Sequence, residues 1–279
     1  MFTVLRNTDL CESSPSAEKP GSVVTISAWG VRIDLSVTAD LRAALPAPIV
    51  PGAEFDNRGP AEAELSVQLN HSAEGNPLYE ITEKGMLLGI ETSLGGAMEA
   101  VESWAQLTVA TLAKGLVFVH AGVVGWQNRA IVIPGRSLSG KSTLVLELVR
   151  AGAEYYSDEY AIFDSAGRVR PYWRLPKLRA ASDQNAASRL LTGVLCGPPP
   201  VPIPLGWVLI SRYAGESSWQ PQRLTSGKTM LGLLDNTVPL RSRPEESIKT
   251  LAKAIKYAQG FEGPRGEAAD FAQRALALL

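Results

Sequence analysis

Ala130-Ile131-Val132-Ile133-Pro134-Gly135-Arg136-Ser137-Leu138-Ser139-Gly140-Lys141-Ser142-Thr143-Leu144-Val145-Leu146-Glu147-Leu148-Val149 is the stretch on which the reading of this chain turns. An apolar run predicts a strand, the residues from Gly135 to Ser142 fit G-x-x-x-x-G-K-[ST] at every fixed position, and an apolar, helix-forming run follows. The chemistry accounts for the spacing. Glycines let successive backbone N–H groups turn toward phosphate oxygens, and the start of the helix adds its partial positive charge. Lys141 reaches the terminal phosphates, and the Ser142 hydroxyl is a ligand for Mg²⁺. The expected binding residues are Gly135, Arg136, Ser137, Leu138, Ser139, Gly140, Lys141, Ser142 and Thr143, and the expected ligand is a nucleoside triphosphate, ATP with Mg²⁺. A second G-K-T at Gly227-Lys228-Thr229 is a decoy, because Gln222 stands where the first glycine belongs and no apolar strand precedes it. That segment reads as an ordinary loop or helix start.

The flanks of the loop supply the candidate chemistry. Leu116 to Val124 and Ala130 to Ile133 are apolar runs around Gln127-Asn128, a two-residue connection of the kind that closes a β-hairpin. If Trp126 pairs with Arg129, His120 falls opposite Gly135, beside the loop. His120 is then either a phosphate or carboxylate partner or a histidine satisfied within the sheet. Beyond the loop, a helix from Ser142 to Ala151 descends about 15 Å and ends at Gly152. Ala153 to Ser157 returns as a strand of about 16 Å, which carries Asp158 and Glu159 back to the level of the phosphates. Carboxylates there can hold Mg²⁺ together with Ser142 or take the proton of an attacking hydroxyl, unless they only mark a solvated turn.

The order His120-Ala121-Gly122-Val123, then the loop, then Ser157-Asp158-Glu159-Tyr160-Ala161 resembles the catalytic core of bacterial HPr kinase/phosphorylase. That family carries an H-G-V segment, a G-x-x-x-x-G-K-S loop and an A-D-D segment at similar spacing. The resemblance is strong over Gly115 to Asp164 and diffuse elsewhere. It implies an α/β fold of the kind shared with phosphoenolpyruvate carboxykinase. It also implies Asp158 as acid/base, His120 as active-site histidine, and Lys141 and Ser142 as phosphate and Mg²⁺ ligands. Glu159 stands where the family has a second aspartate, and no R-G-x-G segment of the family's later signature is present; Arg265-Gly266-Glu267 is a faint echo of it. The chain is thus similar to the broad group of HPr kinase-related proteins.

Composition excludes several classes. The chain has 279 residues, 45% of them hydrophobic, enough for one large domain or a small one beside a larger one. Its 27 lysines and arginines balance 28 acidic residues for a net charge of −1, which offers no footprint for nucleic acid or an anionic membrane. Two cysteines and two histidines are too few for a disulfide framework or a histidine-rich metal site, and a reducing, cytoplasmic setting is expected. No signal peptide is read at the start, and the apolar window from Trp104 to Trp126 changes period midway, as a core helix running into a strand does. Residues 1–96 read as a β-rich module and residues 97–279 as the nucleotide-binding domain, opened by an amphipathic helix from Ala97 to Lys114.

The leading expectation from the sequence is an ATP- and Mg²⁺-dependent phosphotransferase acting on a hydroxyl, of serine in the first instance, in a protein, peptide or small molecule. A nucleotide-binding regulatory module with little turnover and a hydrolytic ATPase are the alternatives. Arg179, Arg241, Arg243 and Arg265 are read as phosphate or acceptor contacts or as solvated surface arginines. The acceptor and any homo-oligomer are left open.

Overall fold

The structure is a computed structural model that describes residues 23–55, 59–136, 139–176 and 181–279. Ser137, Leu138 and Arg179, and the readings of the first residues, lie outside the described residues. The chain is a mixed α/β protein with two mixed sheets, and it divides into one compact unit up to Leu112 and a second from Ala113.

The first unit is built on strands β1 (Val23–Ala28), β2 (Val31–Ser36), β3 (Glu54–Phe55), β4 (Ala63–His71), β5 (Pro77–Glu83) and β6 (Met86–Glu91), in the order β3-β1-β2-β4-β5-β6. Trp29 and Gly30 both take positive φ, 55° and 77°, the geometry that matches a two-residue turn to the twist of β1 and β2. Side chains alternate along β2, with Val31, Ile33 and Leu35 buried. Two helices, α1 (Ala39–Ala44) and α2 (Leu94–Leu112), complete the unit. Ala97, Val101, Ala105 and Val109 form the buried stripe of α2, which packs on β2, β5 and β6. That packing sets the division after α2, whereas the sequence reading divided the chain after residue 96 and gave this helix to the second domain.

The second unit contains β7 (Leu116–Trp126), β8 (Arg129–Pro134), α3 (Lys141–Arg150), β9 (Glu154–Ser157), β10 (Tyr160–Asp164), β11 (Arg168–Arg170), α4 (Ala181–Leu195), β12 (Ile203–Tyr213), β13 (Gln222–Leu224), α5 (Ser226–Leu234), α6 (Pro244–Ile255), β14 (Gln259–Arg265) and α7 (Ala268–Leu278). Its sheet runs β11-β10-β7-β8-β12-β14-β13, with β9 also on β7. Strand β12 lies parallel to both β8 and β14, so these three strands deliver their carboxyl ends to one rim of the sheet. Both faces are covered, as a parallel sheet requires. Leu144, Val145 and Leu148 of α3 join Phe271 and Ala275 of α7 in one core cluster, while Leu233 of α5 and Leu251 and Ala254 of α6 join the other. Among the described residues no helix is long and apolar enough to cross a membrane.

Strand β14 and helix α4 were not read from the sequence. Gln259-Gly260-Phe261-Glu262-Gly263-Pro264-Arg265 contains two glycines and a proline, residues depleted from strands. It is a strand here because β12 on one side and β13 on the other complete its ladder.

Candidate functional site

The site begins where the parallel strand β8 ends. Residues 135–140 connect it to α3, and Gly140 at the start of the helix has φ of 84°, a left-handed conformation that costs other residues strain. A Cβ on Gly140 would also stand 2.9 Å from Nη2 of Arg265. The N-cap residue Gly140 has no side chain to cap α3, and the partial positive charge of the first turn lies at the loop. Arg136, Ser139 and Thr143 are exposed around it. Lys141, by contrast, is 7% exposed, and its Nζ donates to the carbonyls of Gly135 and Arg136, both at 2.8 Å. Burial lowers the lysine's pKa, against the opposing pull of the Glu159 and Asp158 carboxylates.

The carboxylates arrive by a single interrupted strand. Strands β9 and β10 pair with successive parts of the same edge of β7, and Asp158-Glu159 is the interruption between them. The Ala121 N–H donates to the Glu159 carbonyl at 3.1 Å, which holds the pair beside the middle of β7, where β8 ends opposite Ala121. Helix α3 comes close here because residue 122 is glycine; a Cβ on Gly122 would meet Cγ2 of Val145 at 2.6 Å. The close approach lets Ser142 Oγ donate to Asp158 Oδ2 at 2.7 Å. Asp158 is 3% exposed, and burial raises its pKa, partly offset by the Arg174 charge and the Ser142 hydrogen bond. A carboxylate so placed is a stronger base than one in water.

His120 stands where the hairpin register put it. Residues Gln127 and Asn128 turn with φ of 49° and 60°, Ala121 pairs with Pro134, and the Gly135 N–H donates to the His120 carbonyl at 3.2 Å. Its ring lies 4.9 Å from that of Tyr160, and Nε2 is 3.6 Å from Glu159 Oε1, longer than a direct hydrogen bond. Burial and the charge of Lys141 push its pKa down to about 4, so the imidazole is neutral at physiological pH. Glu159 therefore turns its carboxylate to His120, while Asp158 turns to Ser142. The Asn236 carbonyl, just after α5, accepts the His120 N–H at 2.8 Å and closes this side of the site.

Of the three candidate arginines among the described residues, one joins the site. Arg265, at the carboxyl end of β14, is 6% exposed; its Nη2 donates to the Ser139 carbonyl at 3.2 Å and its Nη1 to the Gly266 carbonyl at 3.0 Å. Its guanidinium carbon lies 5.4 Å from the Tyr213 ring centre, and its Nε is buried with no hydrogen-bond partner among the described residues. Arg243 instead pairs with Glu246 at 2.7 Å, away from the loop, and Arg241 is exposed. The faint R-G echo at Arg265-Gly266 was the one signal in the sequence that set Arg265 apart from the other arginines; its place beside the loop follows from the unforeseen β14.

A helix start with a glycine N-cap, a lysine and an arginine suits a polyphosphate. Among the described residues no group of three or more His, Cys, Asp or Glu side chains could hold a metal ion by itself. The hydrogen-bonded Ser142 and Asp158, with Glu159 alongside, nevertheless fit Mg²⁺, which takes one or two carboxylates and completes its shell with phosphate oxygens and water. No protein-family model matches the chain, and no curated protein matches it.

Proposed function

We propose that this chain is an ATP- and Mg²⁺-dependent kinase that transfers the terminal phosphoryl group to a hydroxyl, of serine in the first instance, in a protein, peptide or small molecule. The observation that carries the reading is the contact between Ser142 at the start of α3 and the buried Asp158. A basic carboxylate at the mouth of a phosphate-type loop has a use in phosphotransfer that a passive binding site lacks. The resemblance of residues 115–164 to HPr kinase/phosphorylase supports the same assignment, including an α/β core of that type.

The loop amides and Lys141 bind and orient the phosphates, Lys141 exchanging the carbonyls of Gly135 and Arg136 for phosphate oxygens. Ser142 with Glu159, or with Asp158 where Asp158 is not the base, would hold Mg²⁺, which when bound would offset the charge of the phosphates. Asp158 accepts the proton of the attacking hydroxyl as its oxygen bonds to the terminal phosphorus and the bridging P–O bond breaks, releasing ADP. His120, neutral, orients Glu159 and the acceptor side of the site.

The test is Asp158→Asn, assayed for Mg·ATP affinity and for transfer of labelled phosphate to candidate acceptors. Binding within severalfold of wild type with transfer lowered by about 10²-fold or more is expected of a base. Joint loss of affinity and rate, partly rescued by excess Mg²⁺, identifies a metal ligand. Undiminished transfer refutes both roles. Wild-type protein that binds ATP and phosphorylates nothing is a regulatory nucleotide-binding module.

A further inference from the structure

We propose that the exposed ring of Tyr213 is the platform on which the base of the bound nucleoside triphosphate stacks, with Arg265 between that ring and the loop. This rests on the reading of residues 135–142 as a phosphate loop.

The ring lies on the face of the sheet that carries the loop. Leu209 of β12 and Phe261 of β14 belong to the core cluster that holds α3 and α7, and side chains alternate along a strand. Tyr213 and Arg265, each four residues further on, therefore point to that same face, and they are register partners at the carboxyl ends of the two parallel strands. Contacts carry the connection to the loop itself. Arg265 Nη2 donates to the Ser139 carbonyl at 3.2 Å and stands 2.9 Å from where a Cβ on Gly140 would lie. The same guanidinium lies over the Tyr213 ring, 5.4 Å from its centre. Ligands of open α/β sheets bind outside the carboxyl ends of parallel strands, which is where this ring stands.

The ring is held in place and yet open. Its hydroxyl donates to Glu267 Oε1 at 2.8 Å, which fixes the tilt of the ring, while the residue is 55% exposed. Every base has a π-face that can stack on such a ring. The guanidinium beside it hydrogen-bonds two carbonyls and no carboxylate among the described residues, which leaves its charge to phosphate oxygens. Strand order sets the direction of the ligand. Asp158 lies on the β7 side of the loop strand β8, and β12 is the neighbour of β8 on its other side. A triphosphate with its terminal phosphorus at Ser142 and Asp158 turns its nucleoside end toward β12. The acceptor is a poorer occupant of the platform, because its hydroxyl must meet Asp158 across the loop.

Calorimetric titration of wild type, Tyr213→Ala and Tyr213→Phe with Mg·ATP and with inorganic tripolyphosphate tests the assignment, since tripolyphosphate reports the loop alone. The expected result is ATP affinity about tenfold weaker in Tyr213→Ala, the scale of one base–aromatic stack. Tyr213→Phe, which keeps the ring, binds ATP within about twofold of wild type on the same scale, and all three proteins bind tripolyphosphate alike. Unchanged ATP affinity in a Tyr213→Ala protein that still binds tripolyphosphate overturns the platform and leaves the loop reading standing. ATP affinity lost equally in both variants also overturns it, because the hydroxyl and not the ring would then be at work. Equal weakening of both ligands in Tyr213→Ala does so too, since the ring would then only hold Arg265 in place. Wild-type protein that binds neither ligand removes the loop reading and this inference with it.

Discussion

Gly140-Lys141-Ser142 and Gly227-Lys228-Thr229 spell nearly the same tripeptide at the start of a helix, and the structure treats them in opposite ways. Before α5, Thr225 alone separates β13 from the helix; its Oγ1 accepts the Lys228 N–H at 3.3 Å, and its carbonyl accepts the Thr229 hydroxyl at 3.0 Å. The helix start is satisfied by its own chain, Lys228 is exposed, and Thr229 is buried against Gly260. Before α3, the connection spans 135–140, the N-cap is a glycine with no side chain to cap the helix, Lys141 is buried, and the Ser142 hydroxyl turns outward from its helix to Asp158. A helix start becomes an anion site only where its donors are left to an outside partner.

The comparison breaks most sharply at the lysines. Lys141→Ala is expected to weaken ATP binding by 10²-fold or more, about 2.7 kcal/mol, with the fold retained, while Lys228→Ala leaves it within twofold. Calorimetry on both variants decides the matter, and unchanged affinity in a folded Lys141→Ala protein ends the phosphate-loop assignment.

The buried side of the comparison has a pH signature as well. The unfolded chain takes up a proton on His120 near the ordinary value of about 6.5, whereas the folded protein holds it neutral down to about 4. Above the ordinary value the residue contributes no pH dependence. As pH falls from about 6.5 toward 4 the unfolded state binds the extra proton and stability is lost, on the order of 2 kcal/mol after allowance for partial exposure. Denaturation of wild type and His120→Gln across this window is expected to show a shallower loss in the variant. Parallel curves, or a histidine resonance titrating near 6.5, contradict the burial.

The smallest effect belongs to the capped helix. Thr225→Ala removes the acceptor for the Lys228 N–H and is expected to cost about 1 kcal/mol in urea unfolding while leaving nucleotide affinity unchanged. A change in affinity would mean that the start of α5 takes part in binding after all.

Local chemistry is what could be read directly. The pattern from Gly135 to Ser142, the turn at Gln127-Asn128 and the helix stop at Gly152 each depend on a few neighbouring residues whose φ preferences and spacing act at short range. Strict pairing along a hairpin carried that information one step further and set His120 opposite the loop. Arg265 and the Tyr213 ring beside it were beyond reach of the same argument. Their meeting depends on β14, whose glycines and proline oppose a strand locally and which forms only because β12 and β13 complete its ladder. The split of Asp158 toward Ser142 and Glu159 toward His120 was likewise decided by packing, through the close approach of α3 over Gly122. Sequence alone determined the loop, its lysine and the turns that frame it, because short-range sterics and backbone hydrogen bonding suffice for them. Only the tertiary structure decided which arginine and which carboxylate face that loop, because those contacts join segments far apart in the chain whose meeting depends on the packing of the whole sheet.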